Sequence, residues 1–181
     1  MGRHITVFFG IIIAFIVAGL YGFRSYTKSF SPEGEANLTT RSGFIVNINY
    51  SRPYQKNRKL FGFKDALAPF GKVWRTGANE ATEIEISHDV EIYGQKLSAG
   101  RYTLFTIPNE ITWMVIFNNE LNQWGDFNYD SSKDELRVAV PAFVVKTRKE
   151  MFTLEVREKP DGAEIRLLWG DTMVTIPMVV N

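Results

Sequence analysis

From Phe44 to the C-terminus apolar and polar residues keep alternating, and no stretch sustains a helical period. Phe44, Val46, Ile48 and Tyr50 interleave with Ile45, Asn47 and Asn49; Thr82, Ile84 and Ile86 interleave with Glu83 and Glu85. Successive side chains of a strand point to opposite faces, so this period of two marks strands with one face in a core. Further runs rich in β-formers cover Arg101–Ile107, Thr112–Phe117, Leu136–Val140, Phe143–Lys146, Phe152–Val156, Ile165–Trp169 and Val174–Val180. Lys159-Pro160-Asp161-Gly162 predicts a hairpin turn, and Lys64–Ala68 has room for a single helical turn. The pattern predicts an all-β domain over residues 43–181, an antiparallel sandwich or jelly-roll-like barrel of about 8–9 strands.

The N-terminus is a different material. Ile5 to Phe23 carries no charge and is long enough to span a bilayer, which takes roughly 20 apolar residues. A cleaved signal has a shorter apolar run, about 7–15 residues, and a small-residue cleavage site, and no A-x-A pattern follows this one. The expected division is a short flank at 1–4, a transmembrane anchor at 5–23 and a flexible linker at 24–42, the last rich in Ser, Thr, Pro, Gly and Glu. Arg3 precedes the run while Arg24 and Lys28 follow it, so the positive-inside rule is nearly balanced, with a slight lean toward a cytoplasmic domain.

Charge and composition exclude several functions. With 21 basic and 20 acidic residues and a net charge of +1, the chain lacks the basic footprint of a nucleic-acid binder. It has no cysteine, which removes disulfides, thiolate nucleophiles and zinc–thiolate sites. The two histidines, His4 and His88, are too few for a histidine metal site, and no cofactor-binding motif is present. Asp126, Asn128, Asp130, Ser132 and Asp134 alternate like calcium-loop ligands. However, Ser131 stands where that loop needs Gly and Arg137 where it needs Glu, so a hydrophilic hairpin explains them as well. His88 has Ser51 and Ser87 to work with, but no nucleophile elbow accompanies them, and it reads as a packed or surface residue.

Four stretches are distinctive: Tyr50-Ser51-Arg52-Pro53, PFGKVWRTGANEAT from Pro69 to Thr82, LSAGRYTLFTIP from Leu97 to Pro108, and NQWGDFNYD from Asn122 to Asp130. Together they closely resemble the bacterial family catalogued as domain of unknown function 2911, over nearly all of the β region. The resemblance implies an exported or membrane-anchored bacterial β protein with no established activity. It favours an inner-membrane, single-pass protein with its β domain outside the cytoplasm.

Parity gives the motif residues a provisional geometry. Glu80 shares parity with Thr82, Ile84 and Ile86, and Arg52 with Phe44 through Tyr50, so both are expected on the core-facing side of strand ends. A charge buried alone is costly, and the economical expectation is that Arg52 and Glu80 meet, with Arg75 and Asn79 nearby. Trp113 and Trp169 are expected in the core, and Trp74 and Trp124 on a surface feature. One reading is a structural ion-pair network, with Gly77 and Asn79 supplying turn conformations. The other is a polar ligand site of Arg52, Arg75, Asn79 and Glu80 walled by Trp74 and Trp124. The second reading makes the chain a non-enzymatic binding module for a small polar or saccharide-like ligand. The alternatives are a hydrolase or lyase using Glu80 as general base, and a scaffold docking another envelope protein.

Overall fold

A computed structural model describes residues 2–180, with side chains described from residue 7 onward. Helix α1 spans Gly2–Phe30, and Val7–Phe30 is long and apolar enough to cross a membrane, with none of it buried against the domain. Eleven strands follow: β1 (Glu33–Thr39), β2 (Ile45–Ser51), β3 (Phe61–Gly62), β4 (Ala68–Pro69), β5 (Thr82–Ile86), β6 (Val90–Ile92), β7 (Gln95–Leu97), β8 (Gly100–Ile107), β9 (Thr112–Asn118), β10 (Asp134–Lys159) and β11 (Gly162–Val180).

Nine of them form one antiparallel sheet in the order β1-β2-β5-β8-β9-β10-β11-β6-β7, while β3 and β4 make a small parallel pair. The sheet doubles over along β10. Up to Pro141 this strand pairs with β9, and from Ala142 it pairs with β11. Pro141 has no N–H to give a ladder, and it stands where the partner changes. The two halves therefore face each other as sandwich-like layers, as the alternation predicts. Val46, Ile48, Ile84, Ile86 and Leu104 from one half share a single buried cluster with Phe152, Leu154, Ile165 and Ile176 from the other. Glu83 and Glu85 turn outward between Thr82, Ile84 and Ile86, which are buried. The predicted hairpin turn joins β10 to β11, and a Cβ at Gly162 (φ +152) would collide with the Met178 carbonyl, so only glycine fits there.

Rings from both layers meet at the centre of the core. Trp113 on β9, Trp169 on β11 and Phe152 on β10 surround Phe61 and Trp74. Trp74 stacks on Trp169 with centroids 5.6 Å apart and planes at 13°, while the other pairs pack edge to face. Such pairs add about 0.5–1.5 kcal/mol each beyond the area they bury.

Two expectations change. Residues 24–42 are not a flexible linker: α1 continues to Phe30, and only Ser31 and Pro32 separate it from β1. Pairing explains the strand, since β1 pairs along its whole length with β2, and Ala36 alone in β1 is buried. Lys64–Ala68 forms no helical turn; bends follow β3, with Asp65 at φ 53.

Tyr50 joins the layers with its hydroxyl, which accepts the Leu154 N–H at 3.1 Å while its ring packs edge-on against Phe152. Tyr50→Phe leaves that buried N–H unpaired, at a cost of about 1–3 kcal/mol. Urea denaturation should show this as a lower midpoint with an unchanged slope. An unchanged midpoint would mean the hydroxyl does not hold the layers together.

Candidate functional site

The loop from Trp74 to Glu80 is held on three sides. Trp74 exchanges backbone hydrogen bonds with Thr106 of β8, at 2.7 and 2.9 Å. The Gly125 N–H donates to the Asn79 carbonyl, and Glu80 bridges to Trp124, which ties the loop to the segment before β10. Asn79 Nδ2 donates to the carbonyl of Ser31, just beyond α1, at 3.4 Å.

Inside the loop the geometry is tight. The Trp74 indole N–H donates to the Gly77 carbonyl at 3.0 Å, so one side chain is both a core ring and a cap for its own turn. Thr76 and Asn79 take left-handed backbone conformations (φ 52 and 56). For β-branched Thr76 this is an uncommon, strained geometry. It is held by a hydroxyl network: Thr76 donates to Thr106 Oγ1, and the Thr76 carbonyl accepts from Thr82 Oγ1 at 2.7 Å. Gly77 provides space rather than an unusual φ, since a Cβ there would lie 2.9 Å from the Ser51 carbonyl oxygen.

Four of the six expected site residues line two clefts beside the carboxyl end of α1, while Arg52 and Trp124 line neither. One, of about 410 Å³, is lined by Trp74, Arg75 and Asn79, together with Trp169, Lys56 and Arg58; Phe30 and Ser31 from the end of α1 form part of its wall. Three cations line it and no carboxylate does. Trp169 is 1% exposed, and its indole N–H has no hydrogen-bond partner; the buried Nε of Arg75 has none either. The other cleft, of about 500 Å³, gathers Glu33, Glu35, Glu80 and Glu83 with Arg24. Among the described residues no group of three His, Asp or Glu side chains is placed to hold a metal ion.

Arg52 and Glu80 do not pair. Glu80 lies 3.5 Å from Lys28 of α1, which also bonds Glu33 at 2.5 Å. Arg52 lies over Gly34, where any Cβ would collide with its Cδ, and its buried Nε has no partner. The parity argument fails because it carried each strand past its end: β2 stops at Ser51 and β5 begins at Thr82, and Glu80 instead bridges to Trp124. Trp74 is 5% exposed and belongs to the aromatic core, with only part of its surface in the basic cleft. Trp124 is half-buried and lines neither cleft; the Arg24 guanidinium stands 5.3 Å from its ring. Trp169, Lys56 and Arg58 were missed. No local pattern marks Trp169 as anything but core, whereas the Lys56-Asn57-Arg58-Lys59 cluster was a visible signal.

The remaining candidates have internal partners. His88 Nδ1 is 2.7 Å from Ser87 Oγ, and its ring packs edge-on to Phe44 on the surface. Asp130 accepts the Ser132 N–H and caps a short 3-10 turn over Ser131–Lys133, and that bond holds its carboxyl below the usual range. Asp134 accepts from Asn118, from Tyr129 at 2.5 Å and from Arg137 at 2.8 Å, so it anchors the loop that carries Trp124.

The model of the family described as "Protein of unknown function (DUF2911)" matches residues 31–178, and the chain belongs to that family. No curated protein and no solved structure matches it.

The Asp134 network makes a pH prediction. Burial, and then the hydrogen bond to Asp134, push the Tyr129 hydroxyl up to about 12 from an ordinary 10.0. A phenol with a raised folded pKa stabilises the fold fully below its unfolded value and loses that contribution as pH rises through the folded one. The stabilisation from Tyr129 should therefore fade between pH 10 and about 12. Subtracting the phenolate absorbance titration of Tyr129→Phe from that of the natural protein should isolate a midpoint near the upper value. A midpoint near the ordinary value would show that Asp134 does not hold the hydroxyl.

Proposed function

We propose that this DUF2911 protein is a membrane-anchored binding module whose basic cleft takes a small anionic ligand, such as a sugar acid or a phosphate-bearing molecule. The observation that carries the reading is the donor set of that cleft. Lys56, Arg58 and Arg75 line it without a carboxylate, and the buried indole N–H of Trp169 has no acceptor in the protein. A buried donor without a partner costs about 1–3 kcal/mol, and an acceptor supplied by a ligand recovers it. Apolar walls with a few convergent polar groups are the usual form of a small-molecule site.

The finer placement is a retained single-pass anchor in a bacterial inner membrane, with the β domain outside the cytoplasm. The length of the apolar span supports retention. Binding is preferred over catalysis because the enzyme reading needs Glu80 and a motif arginine, Arg52 or Arg75, around one substrate, and neither lines the cleft that holds Glu80. Glu80 lines the acidic cleft and is paired with Lys28, whereas Arg75 lines the basic one.

The test is a thermal-shift and calorimetric screen of the full chain in detergent, using glucuronate, inorganic phosphate, neutral sugars and calcium chloride. A ligand at 100 times its dissociation constant should stabilise the fold by about 2.7 kcal/mol. Glucuronate or phosphate should give the shift and neutral sugars should not. Arg75→Ala should abolish it, Arg75→Lys should retain part of it, and Glu80→Gln should leave it unchanged. A shift that survives in a folded Arg75→Ala protein, or disappears in Glu80→Gln, would move the site out of this cleft.

A further inference from the structure

The basic cleft lies where the apolar span ends. Phe30, the last residue of the span, is part of the cleft wall, and Ser31 beside it accepts from Asn79. If α1 crosses a bilayer along its apolar length, the opening lies at the depth of the lipid headgroups. We infer that the ligand of this cleft is a phosphate ester anion, presented there by the headgroup of an anionic phospholipid; this rests on the binding reading above and on α1 as an anchor.

Three further observations favour a phosphate. Its several acceptor oxygens suit donors arriving from different side chains: the Trp169 N–H, the Arg75 guanidinium, the Lys56 ammonium and the Nη1 of Arg58, whose Nε and Nη2 already donate to the Gln55 and Tyr54 carbonyls. The electrostatic balance is favourable. The carboxyl end of α1 contributes roughly half a negative charge, against three full cations lining the cleft. The carboxylate of Glu150, which accepts the Lys56 N–H, is not part of the lining. The rim also suits an interface. Phe30 in the cleft wall is 46% exposed with the Lys56 ammonium 5.2 Å from its ring; outside the lining, Phe127 is 77% exposed with the Arg75 guanidinium 5.8 Å from its ring. Aromatic rings beside cations are the usual furnishing of the headgroup layer.

The experiment uses the full chain in lipid nanodiscs of phosphatidylcholine, with or without phosphatidylglycerol. Native mass spectrometry counts the lipid retained after release, and Trp fluorescence follows added glycerol phosphate. The expected result is preferential retention of phosphatidylglycerol, competed by glycerol phosphate. In a Lys56→Gln/Arg58→Gln variant, both exposed positions, it should weaken by about tenfold or more, the factor for a lost charge-assisted hydrogen bond. Circular dichroism checks that the variant is folded. Glycerol phosphate binding without lipid retention would overturn the headgroup source and leave the soluble-anion reading standing. Binding of glucuronate but of neither phosphate probe would overturn the phosphate inference. Failure of every anion would overturn the inference and the binding reading together.

Discussion

Trp74 places one side chain in two structures at once. Its ring stacks on Trp169 within the cluster that joins the sheet halves, and its N–H closes the turn at Gly77. The Trp74–Glu80 loop therefore cannot shift without disturbing the core, and the core is not complete without the loop. Arg75 and Asn79 inherit this rigidity, because their backbone is fixed by the anchored ring and by the Thr76–Thr106–Thr82 hydroxyls. Site geometry held by buried packing, rather than by surface contacts, is what a preorganised recognition site requires.

The division of charge between the clefts follows from the same arrangement. The end of α1 separates a carboxylate-rich side, neutralised in part by Lys28 and Arg24, from a side holding Lys56, Arg58 and Arg75. The clefts carry two adjacent fields of opposite sign, and the near-zero net charge of the chain conceals this. Overall composition excludes a nucleic-acid footprint, but it says nothing about a local concentration of one sign.

What the sequence disclosed depended on whether the signal was local. Ile84 and Ile86 between Glu83 and Glu85 announce a half-buried strand, and β5 forms over the residues that alternate. Strand β1 gives no such sign: Glu33, Gly34, Glu35 and Asn37 read as a linker, and they become a strand because β2 offers an unpaired edge. Trp74 could not be told from a surface tryptophan, since Trp113, Phe152 and Trp169, which bury it, come from distant strands. Arg75 and Asn79 were recognisable as site candidates, while the expected pairing of Arg52 with Glu80 extended an alternation beyond strands that end at Ser51 and begin at Thr82.

The short join between α1 and the sheet bears on the freedom of the whole molecule. Two residues, one of them proline, separate the helix from β1, and the Lys28 and Asn79 bonds brace them. A long tether would let the domain swivel and sweep out a volume; a two-residue join gives it little reach. Whatever fixes the tilt and rotation of α1 also sets the direction in which the sandwich faces. The molecule behaves as a bracket rather than a ball on a string, and anything it engages must approach from a direction that the helix has already chosen.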